Sequence, residues 1–372
     1  MRLLAKWVLP ISAPPIENGV VEITGDTITA VGQLAGPNRD LGDVVLLPGL
    51  INAHCHFDYT QIAVPYRESF TEWIRDIVAE KAKQTPADYL AGIQAGMKLA
   101  LHAGTTTVVN IECFPGLIPQ LPASPLRVIW CPELIDLVKR PELPADGMGL
   151  SPHAPYTASA ELYRRCAQSR RFITTHVAES IEEDEMFRQG RGKLYDAFRQ
   201  RGRDMSDCGR IGPVKLLHSY GVLGGNCLAA HANCLTAEDV RLLAETGTSV
   251  VHCPKTHRYF QRAPAPVAAL LAAGVNVCLG TDSLASNDTL NMFAEMRELA
   301  RGFPDLLPAQ IVAMTTANAA KALNQSDRLG RIAEGSVADL IAVPMDGHAD
   351  PYEAVVLAEK PVAFMMLNGC QI

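Results

Sequence analysis

The chain has 372 residues, of which 48% are hydrophobic and 20% charged, enough for one large barrel with a small accessory domain. A formal net charge of -7 gives no basis for a nucleic-acid partner. Ten cysteines without a CxxC pair exclude a zinc ribbon and a redox motif, and they favour reduced thiols in a cytoplasmic protein. No apolar stretch approaches the roughly 18 residues of a membrane span, so we expect no membrane association.

Short strands are predicted at both ends of the chain. Alternating apolar and polar residues surround a turn at Gly25 and Asp26, which indicates a β-hairpin. The last stretch, residues 328–372, shows the same short-strand pattern. We therefore expect segments 1–47 and 328–372 to form one small β-sandwich domain together.

The middle of the chain, residues 48–327, alternates strand-like and helical patterns. Strands are expected at 46–56, 106–111, 127–134, 149–153, 172–179, 227–233, 248–254 and 276–283. Helical patterns lie between them at 71–83, 86–102, 158–166, 237–245 and 290–300. Eight buried strands, most followed by a helix, predict an α/β fold, namely a (β/α)8 TIM barrel whose active residues lie at the C-terminal strand ends.

Four of the strand-like runs end on side chains that can bind a divalent metal or move a proton. Such groups are costly to bury unless something satisfies them, yet they follow the most apolar stretches of the chain. If the strands run parallel, these side chains meet at one end of one sheet. The residues are His54, His56, His176, Glu179, His231 and Asp282.

His54 and His56 are separated by one residue, so on a straight strand both imidazoles face the same side and can bind one cation. His176 could add a third nitrogen and Asp282 an oxygen, a donor set suited to Zn²⁺ or Fe²⁺. Taken singly, His176 could be a core histidine and Asp282 a helix N-cap. Together they favour one divalent metal ion.

Glu179 and His231 are the candidates for moving protons. A carboxylate beside an activated water can carry protons to a substrate, although Glu179 could also be an ordinary charge at a helix N-terminus. His231 ends a further strand and could orient or deprotonate the water. It could instead be a fourth metal ligand in place of Asp282.

The motifs PGLINAHCH, THVAES, LAAHAN and GTDS, in that order, resemble the signatures of strands 1, 5, 6 and 8 of the amidohydrolase superfamily, in its cytosine- and adenosine-type deaminase branch. The resemblance implies one metal held by His54, His56, His176 and Asp282, with Glu179 as proton shuttle. It implies His231 as the base or electrostatic partner. Another branch bridges two metals through a carboxylated lysine on strand 4. The strand 4 candidate here, GLSPHAPYT, has no lysine, which favours a mononuclear site.

Further motifs resemble particular deaminase groups. The stretch SPHAPYT is similar to the strand 4 motif of adenosylhomocysteine/methylthioadenosine deaminases, which implies that His153 contacts the substrate. The segment after Asp282 is also like that group and places Ser283 near the metal. HFDYT and SFTEWIRDIVAEK resemble aminodeoxyfutalosine deaminases, and Phe70 and Trp73 are candidates for the pocket wall, although aromatic residues at helical spacing could also belong to the core. His257 departs from the family pattern and could contact a different substrate tail or lie in a solvated loop.

We therefore predict a metal-dependent hydrolase, with Zn²⁺ preferred over Fe²⁺, that deaminates an amino-substituted heteroaromatic ring and releases ammonia. The preferred small-molecule substrate is a 5'-substituted adenine nucleoside: aminodeoxyfutalosine, or S-adenosylhomocysteine and methylthioadenosine. The alternatives are a hydrolase with another leaving group (a chlorotriazine or a cyclic amide), a pterin or guanine deaminase, or a metal-binding protein without activity. A homodimer is compatible with the sequence.

Overall fold

The structure, a computed structural model, describes residues 1–36, 39–144 and 147–372. The strands are β1 (Arg2–Val8), β2 (Ile16–Thr24), β3 (Thr27–Gly32), β4 (Arg39–Asp40), β5 (Val44–Pro48), β6 (Leu50–Cys55), β7 (Thr105–Glu112), β8 (Arg127–Leu134), β9 (Ser151–Pro152), β10 (Ile173–Val177), β11 (Cys227–His231), β12 (Ser249–His252), β13 (Val277–Leu279), β14 (Leu340–Pro344), β15 (Phe364–Leu367) and β16 (Cys370–Gln371). The helices are α1 (Phe70–Lys81), α2 (Pro86–His102), α3 (Ala160–Gln168), α4 (Ile181–Gln189), α5 (Lys193–Gln200), α6 (Pro213–Ser219), α7 (Ala237–Thr246), α8 (Pro254–Tyr259), α9 (Val267–Ala272), α10 (Met292–Gly302), α11 (Pro308–Met314), α12 (Ala317–Ala322) and α13 (Pro351–Val356).

Two four-stranded parallel sheets form the centre of the molecule. Their strand orders are β6-β7-β8-β9 and β10-β11-β12-β13. Parallel bridges join the sheets at both edges, where Leu150 pairs with Ile173 and Cys55 pairs with Asp282. The strands therefore follow one another around a ring in chain order, and the prediction of a TIM-barrel-like α/β fold is confirmed.

The seam between β6 and β13 lies directly beneath the candidate metal ligands. The backbone amides of Thr281 and Asp282 both donate to the carbonyl oxygen of His54, at 3.1 and 3.0 Å. A Cβ atom at Gly280 would lie only 2.8 Å from both the Cβ and the backbone nitrogen of His54. Glycine therefore allows the two strand ends to approach closely enough to bring Asp282 beside His54.

Apolar side chains fill the inside of the barrel. Those of β6, β7, β11 and β12 point inward because alternate residues of a strand face the same side. An interior packed in this way is a core, and the site of such barrels lies at the end where the loops follow the strands. Members of this cluster are Ile51, Ala53, Val109, Cys131, Leu228, Ala230, Val251 and Cys278.

A second sheet combines strands from both ends of the chain. Its order is β16-β15-β14-β5-β1-β2-β3, and β4 pairs with β1. The hairpin predicted around Gly25 is confirmed, because β2 and β3 pair antiparallel and Gly25 has a φ of 62°. Strand β14, near the C-terminus, pairs antiparallel with β5, so the two ends of the chain share one sheet.

Some predicted elements differ in the structure. The run 46–56, predicted as one strand, is divided between β5 in the terminal sheet and β6 in the barrel. The division falls at Gly49, where a Cβ atom would lie 2.1 Å from the Thr106 side chain and the amide donates to Asp339. The C-terminal segment also contains α13, which the predicted short-strand pattern did not include. Its buried Val355 and Val356 pack in the same core as the barrel helices.

Candidate active site

The predicted metal ligands and proton-transfer residues converge at the C-terminal ends of the barrel strands. His54 lies near the end of β6 and His56 one residue beyond it, while His176 lies in β10 and His231 is the last residue of β11. Asp282 follows β13. The barrel thus brings together residues that lie more than 200 positions apart in the sequence.

The distances within this group are short. The Nε2 atoms of His56 and His176 lie 3.3 Å apart, and Asp282 Oδ1 lies 3.6 Å from the Nε2 atoms of both His54 and His56. The ligand atoms of His54, His176 and His231 also lie within 4.8 Å of one another. One cation could therefore contact donors from four barrel strands.

The polar atoms of this group fit a bound cation. Both ring nitrogens of His54 and the Nδ1 of His56 are buried without a hydrogen-bond partner among the described residues. Burying such nitrogens without a partner is unfavourable, and a divalent cation would supply one. Burial lowers the pKa of His54, His56 and His231, which keeps these imidazoles neutral, the form that binds metals.

Asp282 supplies negative charge to the group. Burial by itself raises the pKa of its carboxyl, but the contact with His54 and the neighbouring His231 and His56 outweigh burial and hold the pKa well below its usual range. Its other oxygen, Oδ2, accepts a hydrogen bond from Ser286 Oγ at 3.2 Å. The backbone of Asp282 has a φ of 59°, an uncommon conformation in a non-glycine residue, often found at functional sites.

His176 is oriented by the neighbouring strand. Its Nδ1 lies 2.9 Å from the backbone oxygen of His153, to which it donates in the tautomer that leaves Nε2 free. Nε2 faces His56, on the side of the other candidate ligands. Histidines that bind metals commonly have their second nitrogen held in this way.

Glu179 lies beside the histidine group and is buried. Its Oε2 lies 3.8 Å from Nε2 of His231, and its Oε1 accepts a hydrogen bond from Arg262 at 3.0 Å. A carboxylate in this position can exchange protons with a water molecule or substrate located over the histidines.

His56, His176, Glu179, His231 and Asp282 form the floor of a cavity of about 290 Å³. His153, Trp73 and Ser283, which the sequence predicts as substrate contacts, also line this cavity. Nδ1 of His153 lies 2.7 Å from Thr157 Oγ1, and burial lowers the pKa of His153 to about 4, so the ring is neutral near pH 7. His257 lies outside the set of lining residues, with Nε2 2.8 Å from the Ala263 oxygen, and its contact with a substrate tail stays a prediction.

The sequence reasoning missed a polar group on one side of the cavity. Lys81 donates to Tyr59 Oη at 2.5 Å and to Cys113 Sγ at 3.2 Å, and Cys113 donates to Glu133 at 3.0 Å. Burial by itself raises the pKa of Glu133, but Lys81 and His153 outweigh it and lower the pKa to about 2, so the carboxylate is charged. The available signal for Glu133 was an acidic residue in the strand RVIWCPEL, whose residues between Arg127 and Glu133 are apolar.

Arg262 was missed as well, because it lies in a loop after α8 and belongs to no recognised motif. The apolar wall of the cavity was predicted through Phe70 and Trp73, which both lie among its lining residues. Further apolar side chains, with Arg201 beside them, complete this wall: Ile74, Ile77, Val78, Ile135, Leu137 and Phe198.

Across the described parts of the chain, no helix is both long enough and apolar enough to cross a bilayer.

A parallel α/β barrel with histidines and an aspartate clustered at its strand ends defines the class of metal-dependent barrel hydrolases.

Comparison with known proteins supports this class. The model of the amidohydrolase family matches residues 45–113 and 127–371. The 5-methylthioadenosine/S-adenosylhomocysteine deaminase of Moorella thermoacetica is 32% identical, over 91% of this chain and 84% of that protein. A zinc-bound adenosine deaminase from Xanthomonas campestris is 25% identical with a TM-score of 0.84, over 100% of this chain and 92% of that one. The Helicobacter pylori aminofutalosine deaminase, in complex with methylthio-coformycin, shares the fold with a TM-score of 0.85 at 20% identity, over 100% and 99% of the two chains.

The chain belongs to the amidohydrolase family, whose members depend on metal. It is a hydrolase that acts on carbon–nitrogen bonds. The family, the enzyme class and the deaminase branch predicted from the motifs are confirmed.

Proposed function

We propose that this protein deaminates a 5'-substituted adenine nucleoside by hydrolysis and releases ammonia. The observation that carries the proposal is Glu179 at the floor of the cavity, 3.8 Å from His231 and beside the histidine and aspartate group. A purely structural metal site would need no such carboxylate. Relatives about 30% identical over most of the chain carry the names of adenine-nucleoside deaminases.

We assign His54, His56, His176 and Asp282 as ligands of one divalent metal ion, with Zn²⁺ preferred. Three imidazoles and one carboxylate suit this ion, and strand 4 supplies no lysine to bridge a second ion. A bound ion of this kind supplies Lewis acidity, which makes a water molecule nucleophilic near neutral pH.

Glu179 Oε2 is the atom to which we assign proton transfer. It takes a proton from the attacking water and passes it to the ring nitrogen next to the carbon under attack. The water oxygen bonds to that carbon, and the carbon–nitrogen bond to the amino group breaks. Glu179 delivers the remaining proton to the amine, which leaves as ammonia, while His231 hydrogen-bonds the attacking oxygen.

The shape and chemistry of the cavity favour one type of 5' substituent. One wall is mainly apolar, and Arg201 is an exposed cation among the lining residues. Aminodeoxyfutalosine carries a benzoate on its 5' substituent, which matches an apolar wall followed by a cation. Methylthioadenosine lacks the anion, and S-adenosylhomocysteine carries its carboxylate on an aliphatic chain, which offers the apolar wall less surface than an aromatic ring does. We therefore place aminodeoxyfutalosine first among the three.

The direct test is ammonia release from these three nucleosides by metal-loaded protein, with a chlorotriazine assayed for chloride release. We expect ammonia from at least one nucleoside and no chloride. Glu179→Gln should lower kcat by about 100- to 10,000-fold, because it removes the proton-transfer group.

Glu179→Gln should still bind the same amount of metal, as measured by elemental analysis. A variant that keeps wild-type turnover would contradict the role of Glu179. Chloride release without ammonia release would replace the deaminase proposal with the chlorohydrolase alternative.

We also propose that the terminal sheet forms a β-sandwich domain from segments 1–47 and 328–372, next to a barrel domain of residues 48–327. The sheet folds over a core of its own, because apolar residues from six of its strands are buried in one cluster. They include Leu3, Val21, Ile28, Leu46, Leu340, Phe364 and Met366.

A further inference from the structure

Arg262 forms an ion pair with the proposed proton shuttle. Its Nη2 donates to Glu179 Oε1 at 3.0 Å, and both side chains are largely buried, with 12% and 7% of their surfaces exposed. A buried carboxylate needs such compensation, and a charge-assisted hydrogen bond is stronger and more directional than a neutral one.

Two aromatic rings hold the Arg262 guanidinium in place. Its central carbon lies 4.2 Å from the centre of the Phe260 ring and 5.3 Å from that of Phe70. Both distances are in the range of cation–π contacts. The guanidinium is therefore a fixed partner for the carboxylate.

The remaining polar atoms of Glu179 are held by other residues. Its backbone amide donates to Glu183 Oε2 at 2.8 Å, and its backbone oxygen accepts from Asn233 Nδ2 at 3.1 Å. Within the described ranges, Oε2 is the one polar atom of Glu179 left without a hydrogen bond, and it faces His231. The contacts thus leave one carboxylate oxygen available for proton transfer.

We propose that Arg262 is a positioning residue, which fixes the Glu179 carboxylate so that Oε2 meets the water and the substrate. The inference rests on the proposed function, since it requires Glu179 to transfer protons. Without Arg262, the carboxylate can rotate away from the cavity. A misplacement of about 1 Å is sufficient to slow a reaction by about 100-fold.

The test uses metal-loaded Arg262→Met, which keeps the apolar stem of the side chain and removes the charge. We expect kcat to fall by about 100-fold with KM changed by less than about threefold, because the contact orients a catalytic group rather than the substrate. Arg262→Lys should recover at least about tenfold of that loss, since an ammonium can also contact the rings and donate a charge-assisted hydrogen bond to Glu179. Metal content should equal that of the wild type.

Arg258→Met is the matched control. Arg258 lies in α8, close in sequence to Arg262, and its guanidinium pairs with Glu298 away from the cavity. Its kcat should equal that of the wild type. An equal fall in kcat for both variants would overturn the proposal, because the effect would then come from the segment and not from the Glu179 contact.

Combining Arg262→Met with Glu179→Gln separates this proposal from the proposed function. In the Glu179→Gln background, Arg262→Met should cause no further loss of kcat, since the residue acts through Glu179. Wild-type kcat in Arg262→Met, with activity lost in Glu179→Gln, would overturn the Arg262 proposal alone. If no nucleoside is deaminated, the proposed function fails. The contact between Arg262 and Glu179 can still be tested then, because strictly additive effects of Arg262→Met and Glu179→Gln on the free energy of unfolding would contradict it.

Discussion

Gly280 lies where the end of β13 meets His54, and Gly280→Ala should lower both the stability of the fold and the affinity of the candidate site for metal. A Cβ atom there would lie 2.8 Å from the Cβ and nitrogen of His54 and 2.9 Å from its oxygen. Two of these atoms belong to the backbone, so no side-chain rotation relieves the contact. Overpacking of this kind typically costs about 1–3 kcal/mol. Part of that cost is relieved by displacing His54, which should weaken metal binding by about 10-fold or more.

The control is Gly302→Ala, in which the new Cβ atom has no neighbour within 4 Å. Gly302 ends α10, so alanine there should be neutral or slightly stabilising. Urea unfolding of the metal-free proteins gives the free energy of unfolding, and competition with a chelator gives metal affinity. If Gly280→Ala matches Gly302→Ala in both measurements, strand β13 does not approach His54 as closely as the structure shows.

Two further predictions concern the mouth of the cavity and the support of Glu179. Arg201→Gln should raise KM about two- to fivefold for a nucleoside with a carboxylate on its 5' substituent, and not for methylthioadenosine, because an exposed ion pair contributes at most about 1 kcal/mol. Arg199→Gln, in α5 two residues before Arg201 and paired with Asp196, is the steady-state kinetic control. Equal KM changes for both nucleosides would contradict a role of Arg201 in binding the anion. Burial raises the pKa of Glu183 from 4.5 to about 8. The folded protein therefore keeps a proton that the unfolded chain releases, and stability falls as pH rises from about 4.5 to about 8. Glu183→Gln removes this dependence, so its free energy of unfolding relative to wild type should rise across that range, by at most about 1.4 kcal/mol per pH unit. Urea unfolding at pH 5 and pH 8 measures it, and parallel pH dependence in both proteins would refute it.

The residues of the candidate metal group could be read from the sequence because each follows an apolar strand. His54 and His56 share one side of a strand by local geometry alone, and His176 and Asp282 each end a recognisable run. Their spacing and order are local properties of the chain. The family could therefore be predicted without knowledge of the packing.

Other features depend on packing between distant segments. The break between β5 and β6 follows from Gly49 lying against Thr106, a contact that no local pattern reveals. Glu133 and Lys81 meet through Cys113 because β8, α1 and the end of β7 converge on one side of the cavity. Their charges are tolerated there only because they compensate one another.

The sequence alone determined which chemical groups stand at the strand ends, because strand periodicity and residue type are encoded locally. Only the tertiary structure decided that Arg262 reaches Glu179 across 83 residues and that Gly280 brings Asp282 beside His54. Those contacts arise when the barrel closes, since ring closure places chain segments together that have no relation in the linear order.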